Sequence, residues 1–367
     1  MKMAKLIYAA ALLCAGSNSN SAMAADATNS PAAAPATNAV STNAPGGQRH
    51  GAPMSEADKA EVARIANLPE WKPGDGDGDY FIGPNYPLPP EAMTNDSVPH
   101  GRIERFSMNL ADSKFFTGAG MRGAREAREV KVYIPSQYVP GTVAPVIVTA
   151  DAYLGSLHNV LDNMIAAHRL PVIIAVMIAN GGGDSRGSER GLEYDSVNGK
   201  NAEFIEAEVL PRVEKECGVK LSKDPDARMT LGGSSGGASA FTMAWFHPEL
   251  YHRVVAYSGT FVNQNSDDYP HGAWTYHESL IPNSPVKPLR LWLEVGERDN
   301  GATSASSGLH NWVIANLRMA KVLKAKGYHY QFIYAKNAGH TPGPVMTHAL
   351  PQALEYVWKG YPIAPAK

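Results

Sequence analysis

The sequence predicts an α/β protein, a central mostly parallel sheet with helices on both faces, on three observations. Strand candidates recur at 145–150, 172–179, 229–232, 253–257, 289–295 and 328–334, several of them nearly continuous in Val, Ile and Leu. Strands covered on both faces need such runs. Helical stretches fall between them, at 157–168, 202–216, 235–246, 309–326 and 347–358, and that alternation marks a parallel sheet. Gly218 and Gly327 each follow a Lys- or Glu-rich turn, where a helix ends on a left-handed glycine. Ahead of this core, 102–108 and 128–134 read as antiparallel strands that open the sheet.

Taken in order, the chain begins with Lys2 and Lys5, an apolar stretch at 6–16, and the small-residue series Ala22, Met23, Ala24. This is the pattern of a secretory signal peptide over 1–24, which makes the protein secreted or periplasmic. The stretch is too short to span a bilayer, and no later run reaches the ~20 apolar residues required. Residues 25–54, nearly all Ala, Thr, Asn, Pro, Ser and Gly, read as a disordered linker. Residues 55–367 read as one domain with an N-terminal extension to about residue 100. Loss of the leader removes Cys14 and leaves Cys217 alone, an inert buried thiol with no intramolecular disulfide. A net charge of −2 and a pI near 6.6 offer nucleic acid no basic face. No heptad or apolar stripe specifies an oligomeric state.

The junction between the strand at 229–232 and the helix at 235–246 carries Gly233, Ser234, Ser235, Gly236 and Gly237. They fit GxSxG, a sharp strand-to-helix turn that lifts a serine hydroxyl above the sheet. Ser235 is the expected nucleophile, and apolar flanks argue against a flexible linker. Such a serine needs a base and an orienting acid, here in the order serine, acid, histidine. The strand at 289–295 runs into Gly296, Glu297, Arg298 and Asp299, which favours Asp299 as the acid and puts Glu297 second. His340 follows the last strand on a loop and is the expected base. His348 is a weaker rival inside the closing helix, while His247 and His252 suit capping or packing. The expected oxyanion donors are the amide of Gly236 and that of Ala152 or Tyr153 in the loop after the first core strand.

Gly118, Gly120 and Gly123 fit GxGxxG but follow no buried strand, so they read as a hairpin loop. Asp75, Asp77 and Asp79 alternate with glycine, yet Tyr80 and Tyr86 stand where a calcium loop needs Gly and Glu. No HExxH or paired CxxC occurs, and neither metal nor organic cofactor is expected. Arg190 and Glu193, after a glycine-rich loop, are candidate substrate contacts or a loop tie in which Arg190 pairs with Glu193 or Asp195. Trp274 and Tyr276, in a Pro-, Asn- and Gly-rich insertion, either face a ligand or close the core. Trp274 is the candidate taken for substrate binding.

At these residues the chain resembles the putative-esterase family of α/β-hydrolases, which holds enterochelin, feruloyl and acetylxylan esterases and mycolyl transferases. The stretches that carry the resemblance are ArgGlyLeuGluTyrAsp at 190–195, GluValLeuProArgValGlu at 208–214, GlyGlySerSerGlyGly at 232–237, TyrSerGlyThrPheVal at 257–262 and AlaGlyHis at 338–340. The early loop reads AspAla at 151 and 152 where many relatives have AspGly. The resemblance implies the α/β-hydrolase fold and carries Ser235, Asp299 and His340 over as nucleophile, acid and base. It also implies hydrolysis of a small-molecule or glycan ester of feruloyl, acetyl-sugar or siderophore type. Acyl transfer or lactone hydrolysis on the same serine is the first alternative. A binding module that kept the fold and lost activity is the second.

Overall fold

Nine strands form one sheet in the order β1-β9-β8-β7-β6-β4-β5-β3-β2. They are β1 (Gly78–Ile82), β2 (Arg102–Asn109), β3 (Ala127–Ile134), β4 (Val146–Thr149), β5 (Ile174–Ile178), β6 (Arg228–Gly233), β7 (Arg253–Tyr257), β8 (Arg290–Gly296) and β9 (His329–Ala335). The computed structural model describes residues 54–153, 155–303 and 308–363. The expected leader and residues 25–53 of the expected linker lie outside them. Met54, the last residue assigned to that linker, leans on the core.

Strands β4 to β9 pair in parallel, β1 joins parallel to β9, and β3 runs antiparallel to both β2 and β5. The central strands are buried along their whole length, as their apolar runs require. The register places Gly233 opposite Tyr257 and Gly296 opposite Ala335. The carboxyl ends of β6, β7, β8 and β9 therefore open side by side at one edge, where α/β proteins build their sites.

The helices are α1 (Glu56–Ile65), α2 (Leu157–Ala166), α3 (Glu189–Tyr194), α4 (Lys200–Phe204), α5 (Leu210–Cys217), α6 (Ser235–Phe246), α7 (Ile281–Asn283), α8 (Trp312–Lys326) and α9 (Gly343–Val357). Helices α2 and α9 cover one face with Trp292, Tyr257 and Ile147 of the sheet. Helices α4, α5, α6 and α8 cover the other with Val148, Val254 and Leu293. Alternate residues of a strand point to opposite faces, so two apolar cores clamp the sheet between them. Gly218 and Gly327 end α5 and α8 at φ 63° and 76°, as their sequence positions predict.

The structure departs from the sequence reading in three elements. The stretch expected as one helix over 202–216 is α4 and α5 joined by a π turn at Ile205–Val209. Pro211, in the first turn of α5, has no N–H to continue an uninterrupted ladder. Helix α3 is unexpected because six residues are too few to display a helical period. Edge strand β1 holds Gly78 and Asp79 and is mostly half-buried, so it lacks the apolar run that marks its neighbours. The acids that look like a calcium loop have protein partners. Asp79 binds Arg64 at 2.8 Å and the Tyr330 hydroxyl at 2.9 Å, while Asp77 binds His329 and the Tyr356 hydroxyl at 2.7 Å each. Among the described residues no helix is long and apolar enough to cross a membrane.

Candidate active site

Strand β6 ends at Gly233, α6 starts at Ser235, and the residue between them makes the turn. Ser234 sits at φ 57° and ψ −129°, a region that costs a non-glycine residue about 1–3 kcal/mol. Its N–H donates to the Tyr257 carbonyl at 2.9 Å, which ties the turn to β7. Two glycines permit this bend. A Cβ on Gly232 would lie 2.2 Å from the Gly236 carbonyl oxygen, and one on Gly236 would lie 2.7 Å from the Ala150 Cβ.

The residue at the turn is thus Ser234, one before the expected Ser235. Gly232, Ser234 and Gly236 also fit GxSxG, overlapping the frame of Gly233, Ser235 and Gly237. The strand extends one residue further than its apolar run suggests, so the turn falls on Ser234. Ser235 is buried as the first residue of α6, and its neighbour is the Asp195 carboxyl. Burial pushes that carboxyl up to about 7 against the pull of the Ser235 hydroxyl and Arg190.

The Ser234 hydroxyl donates to His340 Nε2 at 2.7 Å, and His340 Nδ1 donates to Asp299 Oδ1 at 2.6 Å. Asp299 Oδ1 also accepts the Asn300 N–H at 2.7 Å. The loops bearing these groups meet because Gly296 has no side chain: a Cβ there would lie 2.2 Å from the Gly339 carbonyl oxygen. Glu297, second choice for the acid, instead accepts the Asn337 N–H at 2.6 Å and fastens the histidine loop. His348 binds the Pro87 carbonyl, and His247 and His252 pair with Glu249 and Asp226. Trp312, which carries no motif signal, stands edge-on to His340 with ring centres 5.8 Å apart. Its indole N–H donates to Thr260.

The early turn at 150–152 rests on the first turn of α6. Asp151 and Ala152 have φ of 57° and 51°, a region that glycine enters without a Cβ penalty. The Asp151 N–H donates to the Tyr194 hydroxyl and the Tyr153 N–H to the Ala150 carbonyl. Tyr153 is therefore engaged inside the turn. With Ser234 as the turn residue, the amide that follows the hydroxyl is that of Ser235, not Gly236. Helix α6 leaves its first amides without intrahelical acceptors, so this edge favours negative charge.

The three expected substrate contacts each have protein partners. Arg190 spends its guanidinium on Asp151 and Asp184. Its hydrogen-bond partners are thus Asp151 and Asp184 rather than the expected Glu193 or Asp195. Glu193 is buried, bound to Arg128 at 2.7 Å and to the Gly181 N–H. Trp274 is buried against His277 and beneath Arg318, and Tyr276 donates to Thr242 within the same core.

Behind Asp299, β8 carries Glu294, wholly buried with no hydrogen-bond partner on either carboxyl oxygen. Burial first, and then the charge of Asp299, raise this carboxyl well above its ordinary range. Cys217 is partly buried, and burial pushes its thiol up to about 11, which leaves it a poor nucleophile. Among the described residues no group of three or more His, Cys, Asp or Glu is placed to hold a metal ion.

A family model described as Putative esterase matches residues 124–355, well over half of the chain. The chain belongs to the putative-esterase family. Membership makes it a carboxylic ester hydrolase. Solved structures share the α/β-hydrolase architecture at low identity. One is a ferulic acid esterase, with TM-score 0.54 and 17% identity over 71% of this chain and 98% of that one. A second is the enterobactin esterase of Shigella flexneri, with TM-score 0.53 and 18% identity over 75% of this chain and 64% of that one. A third is a ferulic acid esterase of Anaeromyces mucronatus, with TM-score 0.53 and 12% identity over 73% and 94%. The esterase thus spans under two thirds of the Shigella protein. No curated protein matches it in sequence.

Proposed function

We propose that this esterase cleaves its substrate through an acyl-enzyme on Ser234, with His340 as base and Asp299 as orienting acid. The observation that supports the assignment is the position of the imidazole, which bridges the Ser234 hydroxyl at 2.7 Å and the Asp299 carboxylate at 2.6 Å. His340 takes the hydroxyl proton as Ser234 Oγ attacks the ester carbonyl. The resulting oxyanion is held by the Ser235 amide and by the turn at 150–153. Collapse expels the alcohol, which receives the proton from His340. Water then attacks the acyl-serine in the same way, releasing the acid and restoring the hydroxyl. Asp299 keeps the imidazole in the required tautomer and stabilises it while protonated. This chemistry needs no metal or organic cofactor.

The ferulic acid and enterobactin esterases among the structural neighbours support a feruloyl or siderophore-type ester as substrate, and an acetyl-sugar ester is the third candidate from the sequence. Methyl ferulate, acetylated xylan and a catecholate siderophore lactone form the panel that separates them. The signal-peptide pattern supports secretion, with a mature chain that begins at Ala25. The paired variants Ser234→Ala and Ser235→Ala test the catalytic assignment on a p-nitrophenyl ester. Ser234→Ala is expected to lower kcat on the order of 10⁴–10⁶-fold, and Ser235→Ala to keep most of the activity. The reverse pattern would overturn it.

A further inference from the structure

Beside the Ser234 turn, three polar side chains converge on one residue. Asp151 Oδ1 accepts Arg190 Nε at 3.0 Å and Asn180 Nδ2 at 2.5 Å, and Asp151 Oδ2 accepts Arg190 Nη2 at 2.9 Å. The Asp151 N–H donates to the Tyr194 hydroxyl at 3.2 Å, so both its carboxylate and its backbone are held. Arg190 is braced in turn by Asp184 at 2.8 Å and by the Tyr194 ring.

What is held so firmly is an unfavourable conformation. Asp151 and Ala152 both lie in the left-handed region, where residues with a Cβ persist only when their surroundings fix them. The turn also meets α6 at close range. A Cβ on Gly236 would come within 2.7 Å of the Ala150 Cβ and 3.3 Å of Asp151 Oδ2. Any relaxation of the turn therefore changes its distance from the amides that open α6.

We propose that Arg190, Asn180 and Asp151 form a positioning clamp that fixes the 150–152 turn against α6, so that its amide and that of Ser235 converge on one developing oxyanion. This rests on the serine-esterase reading above. Arg190 touches no reacting atom; it acts through the turn. The guanidinium fork matters more than its charge, because only a fork meets both Asp151 oxygens together.

The test compares Arg190→Lys and Asp151→Asn with Arg186→Gln, a control that removes an exposed arginine just before α3 that pairs with Asp267. Steady-state hydrolysis of p-nitrophenyl acetate and inhibition by phenylboronic acid, whose serine adduct is tetrahedral, are measured on all three. The clamp predicts a fall in kcat of about 10- to 100-fold, the loss of part of one oxyanion contact. It also predicts KM within about threefold and a boronate Ki that rises in step with the loss of kcat/KM. The control should keep wild-type values. Unchanged kcat in both clamp variants, or a loss of kcat with unchanged boronate affinity, would overturn the proposal. Should Arg190→Lys fail to fold, Asp151→Asn carries the comparison; failure of both to fold would contradict the clamp by making these residues purely structural. If the wild type shows no hydrolysis, the esterase mechanism itself is rejected, a result distinct from any of these.

Discussion

Ser234 and Ser235 are identical in chemistry, and backbone conformation alone separates them. One sits at positive φ in hydrogen-bond contact with His340; the other is buried inside the first turn of α6. Glu294 makes a second prediction at this scale. Its carboxyl is raised well above its ordinary value of 4.5 by burial and by Asp299. The folded protein therefore holds the proton longer than the unfolded chain, so stability is intact below that ordinary value and is lost as pH rises toward the folded one. Glu294→Gln should raise Tm, and by more at pH 8 than at pH 5. Thermal melts at the two pH values check this; a gain that shrinks with pH would show that Glu294 is held as an anion. That Asp299 and His340 would meet was legible in the sequence because each lies on a loop just past a core strand. The serine that meets His340 was legible only to within one residue, because two overlapping glycine frames fit the same hexapeptide and the choice depends on where β6 ends.

At the scale of elements, glycines decide which loops can touch. Gly232 lets α6 turn back over the end of β6, and Gly296 lets the histidine loop rest on the end of β8. Gly296→Ala would force a Cβ to within 2.2 Å of the Gly339 oxygen. The substitution should cost about 1–3 kcal/mol of stability and lower kcat/KM at least about tenfold by moving His340 away from Ser234. Denaturant unfolding and steady-state kinetics on the variant check both effects. Ala152→Gly should do the opposite: with φ at 51°, removing the Cβ relieves strain and should raise stability by about 1 kcal/mol. Strands β4 to β9 could be read from sequence because burial on both faces favours apolar and aromatic residues along most of their length. Edge strand β1 and the short helix α3 could not, since their residues answer to specific partners such as Arg64, Tyr330 and Asp151. The same reason accounts for Arg190, Glu193 and Trp274. Charge and aromaticity mark residues that must be paired, and the sequence does not say whether a ligand or the protein supplies the partner.

For the whole molecule, a mostly parallel sheet brings residues from 151 to 340 to one edge, and every group assigned to the reaction lies between them. A chain that begins at residue 54, where the described structure starts, should therefore keep the kcat of the full-length esterase. Loss of activity on this truncation would show that the preceding segment takes part. The central claim, that the hydroxyl raised by the turn is the nucleophile, is tested most directly by fluorophosphonate labelling followed by tandem mass spectrometry of the peptide spanning Gly232 to Gly237. The account predicts a single adduct on Ser234 that disappears in His340→Ala; an adduct on Ser235, or a native protein that never labels, would contradict it.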